Sequence, residues 1–83
     1  MDYELTQHAR DVLAERNIAV TWLERVLQNP TLTQPSPTDP EIESRFAAIP
    51  EFGGRILRVV VNKQASPRRI VSVYFDRTMK GKL

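Results

Sequence analysis

The sequence predicts an α+β domain, with two N-terminal helices packed on one face of a three- to four-stranded antiparallel sheet. Three observations lead there. Apolar residues recur at helical spacing between Thr6 and Asn29. From Ile56 onward the chain carries two runs rich in β-branched residues, separated by a short loop. The helices precede the strands rather than alternating with them, the order of a helical layer laid on an antiparallel sheet.

Each element has its own signal. Tyr3 to Leu5 reads as a short first strand or a lead into a helix, and Thr6 is a helix N-cap. Ala9, Val12, Leu13 and Arg16 then share one helical face, and Asn17 is a stop. Thr21 and Glu24 have the spacing of a capping box. They open a second helix whose buried stripe is Trp22, Leu23, Val26 and Leu27, and which ends at Asn29-Pro30. Thr31 to Leu32 is expected as a short edge strand, and Thr33 to Pro40 as an exposed, proline-rich loop. Ile42 to Ile49 is read as a strand because the runs after it need a neighbour, although its alanines would tolerate a helix. Pro50 to Gly54 is a turn with glycines free to take positive φ. Ile56 to Lys63 and Arg69 to Asp76 are strands joined by a hairpin loop over Gln64–Pro67, and Thr78 to Leu83 is a loose basic tail.

Size and composition bound the function. Eighty-three residues make a single domain spanning 1–83, with a thin core. A shallow surface site is therefore expected, not an enclosed cofactor pocket. There is no cysteine and only one histidine, so neither a thiolate nor a His-rich metal site can form, and no cofactor is expected. The start Met1-Asp2-Tyr3-Glu4 is not a secretory signal, and no apolar stretch approaches the ~20 residues of a membrane span. A soluble cytoplasmic protein without membrane contact is the expectation.

Charge is the strongest functional cue. Residues 1–51 hold four basic and nine acidic side chains, a net −5, while residues 52–83 hold eight basic and one acidic, a net +7. Positive charge thus concentrates on the most strand-like part, which suits a phosphate-rich partner such as RNA. Strand alternation sorts the side chains. Leu57, Val59 and Val61 with Val71, Val73 and Phe75 form the set that meets the helices. The opposite, open face carries Arg58, Asn62, Ser72, Tyr74 and Asp76 among Ile56, Val60 and Ile70, rimmed by Arg55, Lys63, Arg69 and Arg77. Arg58 offers a planar fork of donors to phosphate oxygens, and Tyr74 can stack on a base or pass a proton. His8, in the first turn of helix one, belongs to the residue type that titrates near neutrality, and so is a candidate acid or base. A plainer reading stands beside each. Arginines on an open sheet solvate it, tyrosines there pack amphipathically, a lone histidine at a helix start is commonly structural, and Asp76 is placed to pair with a nearby arginine.

Thr6-Gln7-His8-Ala9, Glu15-Arg16-Asn17-Ile18, Asn29-Pro30, Leu57-Arg58-Val59-Val60-Val61 and Ile70-Val71-Ser72-Val73-Tyr74 together resemble a bacterial family of small domains of unknown function. That family is in turn similar to the BrnT and RelE toxins, the ribonuclease halves of toxin–antitoxin pairs. The resemblance implies helices on one sheet face and RNA on the other, with an antitoxin protein as partner. Carried over by motif position, it implies catalytic roles for His8, Arg45, Arg58, Tyr74 and Arg77. The expected activity is a metal-independent endoribonuclease in which the ribose 2′-hydroxyl attacks the phosphate. The alternative is a non-enzymatic module binding nucleic acid or protein, and a third possibility is a homo-dimerising scaffold using an exposed strand edge.

Overall fold

The computed structural model describes residues 3–83. In chain order these form β1 (Tyr3–Leu5), α1 (Gln7–Glu15), α2 (Val20–Gln28), β2 (Leu32–Pro35), β3 (Ile42–Ile49), β4 (Arg55–Asn62) and β5 (Arg68–Phe75). Single 3-10 turns cover Pro50–Phe52 and Arg77–Met79. No helix among the described residues is long and apolar enough to cross a membrane.

The helix ends follow from local chemistry, with one correction. Thr6 caps α1 as expected: the Ala9 N–H donates to its hydroxyl oxygen at 3.1 Å. Asn17 stops the helix in the left-handed region, at φ 53°, which asparagine tolerates. The capping box expected at Thr21 and Glu24 does not form. Helix α2 begins at Val20 behind Ala19, with no side-chain cap, so Thr21 lies inside the first turn, where it cannot take the extended N-cap conformation. Glu24 instead accepts a hydrogen bond from the Tyr3 hydroxyl at 2.8 Å, which ties β1 to α2. Burial, aided by the Glu24 hydrogen bond, pushes the Tyr3 phenol up to about 12.

The two-helix, α+β architecture stands, but the sheet is five-stranded and mixed rather than three- to four-stranded and antiparallel. Its order is β1-β5-β4-β3-β2. The difference lies at the edges. β1 pairs parallel with β5 over Tyr3↔Arg68 to Leu5↔Ile70, and β2 extends to Pro35 against β3. Tyr3 to Leu5 was readable as a short strand, but its parallel pairing with a partner nearly the whole chain away has no local signal. Pro35 is tolerated because β2 is an edge, where a missing N–H can face solvent. Ile42–Ile49 is a strand throughout, in unbroken register with β4.

A register shift in β4–β5 overturns one face assignment. Val60 pairs with Ser72 but Val61 pairs with Ile70, so Val71 is the extra residue of a bulge. Strict alternation puts Ile70 on the open face and Val71 under the helices. Instead Ile70 is fully buried in the core beside Val59, Val61 and Val73, and Val71 is only half-buried. Thr6 anchors the irregularity by donating its hydroxyl hydrogen to the Val71 carbonyl at 3.1 Å.

The main core lies between the helices and the sheet, where Ala9, Leu13, Leu23, Val26 and Leu27 meet Ala47, Ile49, Leu57 and Val59. Trp22 is half-buried at its margin, with ring centroids 5.6 Å from Phe52 and 6.3 Å from Phe75. The opposite face is not bare. Phe46, Ile56 and Met79 form a second small core with Leu32. This corrects the reading of residues 78–83 as a loose tail. Asp76 caps the turn by accepting from the Thr78 N–H at 2.9 Å, and the turn folds Met79 back onto the sheet.

Candidate functional site

Arg58 and Tyr74 are direct cross-strand partners on the open face. The Arg58 guanidinium lies 5.5 Å from the Tyr74 ring centroid and 5.1 Å from that of Phe46. It is held further by Nε donating to Ser44 Oγ at 3.0 Å and Nη1 donating to Asp76 at 3.0 Å. Among the described residues its Nη2 makes no hydrogen bond, so one end of the donor fork stays available. Asp76 is buried. Its carboxyl is held below the ordinary value by hydrogen bonds from the Thr78 hydroxyl, then from Arg58, against the opposing effect of burial.

The other candidates are brought in by the edge of β5, not by the open face. β1 covers β5 only as far as Ile70, so among the described residues the side of β5 away from β4 has no strand neighbour from Val71 to Phe75. Beyond it runs an open groove of about 630 Å³, lined by His8 and Arg16 from the α1 region, Arg55 from β4, Ser72 and Tyr74 from β5, and Arg77 after it. His8 belongs to the helical layer and Tyr74 to the opposite face of the sheet. They share a groove because side chains of both faces reach an uncovered edge. Three of the five expected residues, His8, Tyr74 and Arg77, therefore line one surface, and Arg58 sits beside Tyr74.

Arg45 is not part of it. β3 turns it toward the helices, where Nε donates to Glu43 at 2.7 Å and Nη1 to the Leu27 carbonyl at 2.6 Å. Its role there is to satisfy an orphan carbonyl at the end of α2. Glu43 also pairs with Lys63 at 3.2 Å; burial works to raise its carboxyl, but the hydrogen bonds from Arg45 and Lys63 outweigh that and hold it low.

Ion pairing separates structural from available cations. Arg25 pairs with Glu51, Arg45 and Lys63 with Glu43, Arg58 with Asp76, and Arg69 with Glu4. Among the described residues, Arg16, Arg55, Arg77 and Lys80 have no carboxylate partner, and all four are exposed. Arg16, Arg55 and Arg77 line the groove; Lys80 lies just beyond it. The groove also holds one acid, Glu15. Sequence reasoning placed Arg55 only on the rim and gave Arg16 and Lys80 no role. Met79 was the overlooked signal: an apolar residue in a basic tail pins that tail and gives Lys80 a place.

A family model for a domain of unknown function, DUF4258, matches residues 5–75 of the chain. The chain belongs to the DUF4258 family. The match bears out the likeness to a family of small domains of unknown function. It covers His8, Arg45, Arg58 and Tyr74 and ends before Arg77 and Lys80. The matched span holds β2 to β5, His8 and Tyr74, while Arg77 and Lys80 stand on the segment after it. No significant match was found among curated proteins or among solved structures.

Proposed function

We propose that this DUF4258 protein is a metal-independent endoribonuclease, acting on RNA laid along the β5 edge. One observation carries the reading: His8, Tyr74 and Arg77 line the same groove, with two further unpaired arginines beside them. A proton acceptor, a proton donor and cations around one phosphate are the parts that 2′-hydroxyl chemistry uses.

In this mechanism neutral His8 takes the proton from a ribose 2′-hydroxyl. O2′ attacks the adjacent phosphorus, the P–O5′ bond breaks, and Tyr74 gives its phenolic proton to the departing O5′. The products are a 2′,3′-cyclic phosphate and a 5′-hydroxyl. Arg77, with the free Nη2 of Arg58, holds the non-bridging oxygens as their charge grows. The proton returns from His8 to Tyr74 through solvent. The sequence likeness to toxin ribonucleases supports the same class.

Purified protein incubated with single-stranded RNA in chelator is expected to leave cyclic-phosphate ends. His8→Ala and Tyr74→Phe should each slow cleavage about 100-fold, the scale of one lost acid or base. Undiminished cleavage by the double variant would refute the site. The exposed aromatics Phe52 and Tyr74 beside unpaired cations also suit binding without chemistry. Intact RNA with steeply salt-dependent binding would decide for that module.

A further inference from the structure

A second concavity of about 330 Å³ opens beside the groove. Its walls are the glycine turn after β3 and the turn that carries the chain past β5. Arg55, Arg77 and Lys80 line it with Gly53 and Gly54. Arg55 opens β4 and Arg77 and Lys80 bracket the 3-10 turn after β5, and none of the three has a carboxylate partner among the described residues. The one acid in the wall, Asp76, is already consumed by Arg58 and Thr78. The two glycines, at φ 68° and 72°, leave open space where side chains would stand, since a Cβ at either would meet nothing within 4 Å. A ligand can therefore approach the backbone closely. Arg55 is steadied by its place over the Phe52 ring, 4.7 Å from the centroid. Met79, buried on the sheet, fixes the chain next to Lys80.

We infer that this pocket is a second phosphate subsite, taking the backbone phosphate that neighbours the one held in the groove. The inference deepens the proposed function and rests on it for the identity of the strand. Arg55 and Arg77 line both cavities, so the two sites are contiguous and one strand can occupy both. Uncompensated cations held by the fold repel one another, and a phosphate between them relieves that repulsion. Cations from a strand start and from a pinned turn, converging on one concavity, make a receptor for an anion more specific than a basic tail.

The test uses non-cleavable 2′-O-methyl RNA, a dinucleotide with one phosphodiester and a tetranucleotide with three, and compares wild type with Lys80→Ala. Lys80 lines this pocket and not the groove, and its exposed side chain makes no hydrogen bond or ion pair among the described residues. Lys80→Ala is expected to weaken tetranucleotide binding five- to tenfold at low salt. The slope of log affinity against log salt should fall by about 0.7, the value of one single-strand phosphate contact. Dinucleotide binding should be unchanged. Arg10→Ala, which removes an exposed α1 cation outside both cavities, should change neither. Equal losses in the Lys80 and Arg10 variants, no loss on the tetranucleotide, or no binding by wild type would each overturn the subsite. If wild type binds as expected but cleaves no RNA, the subsite stands and the ribonuclease reading falls.

Discussion

Arg45 and Arg58 sit on adjacent strands, yet they do different work. Arg45 spends its donors on Glu43 and the Leu27 carbonyl beneath the helices. Arg58 is braced by Ser44, Asp76 and two rings on the open face and keeps one nitrogen free. Asp76 is what makes that brace possible, since it holds both Arg58 and the turn that follows β5. Asp76→Asn is expected to cost about 2 kcal/mol at neutral pH, because it weakens charge-assisted bonds at a buried carboxylate. Urea denaturation measures it. The pH dependence has a definite sign. The folded carboxyl titrates below its ordinary 3.8, so its stabilisation is complete above about pH 4 and fades as pH falls through the folded value. The gap between wild type and variant should therefore close only in acid. A gap that persists undiminished at pH 2 would show that packing, not charge, explains the loss.

The segment that does most for the site is the junction of β1, α1 and the β5 bulge. Thr6 caps α1 with its oxygen and binds the bulge carbonyl with its hydrogen, two residues before His8. It thereby sets where His8 stands relative to the β5 edge. Thr6→Ala should lower stability by about 1–2 kcal/mol, and Thr6→Ser should restore most of it. Thr21→Ala, at the position where the sequence alone suggests a cap, should change stability by less than about 0.5 kcal/mol. Thermal denaturation of the three variants checks the pair of statements. The contrast shows what was legible. Thr6 was readable because an apolar stripe follows it in phase. The apparent box at Thr21 misled because spacing alone does not say which residue stays extended. The Val71 bulge was hidden because alternation has no local marker for an extra residue when its neighbours are also apolar.

Across the whole molecule, charge asymmetry survives folding in a sharper form. Acids from residues 1–51 neutralise several cations of the basic segment: Glu4 meets Arg69 and Glu43 meets Lys63. Of the cations left without a carboxylate partner among the described residues, Arg16, Arg55, Arg77 and Lys80 gather around the two adjoining cavities, whereas Arg10 and Lys82 lie outside them. The molecule is expected to bind RNA at those cavities alone. Arg55→Ala and Arg77→Ala should each weaken binding and lower the salt slope by about 0.7, whereas Arg25→Ala and Arg69→Ala should leave both unchanged. Fluorescence anisotropy across a salt series reads all four. Uniform losses across the four variants would sink the idea of a defined site and leave only diffuse attraction.

The order of residues alone determined the two helices, the three long strands, the turn glycines and the concentration of positive charge after Phe52. These depend on neighbours a few residues away, so periodicity and composition carry them. Tertiary structure alone decided that β1 would pair with β5, that Ile70 would turn inward, that Arg45 would leave the site and that Lys80 would approach it. Each of those outcomes depends on which groups meet across long stretches of chain and on which charges find a partner there.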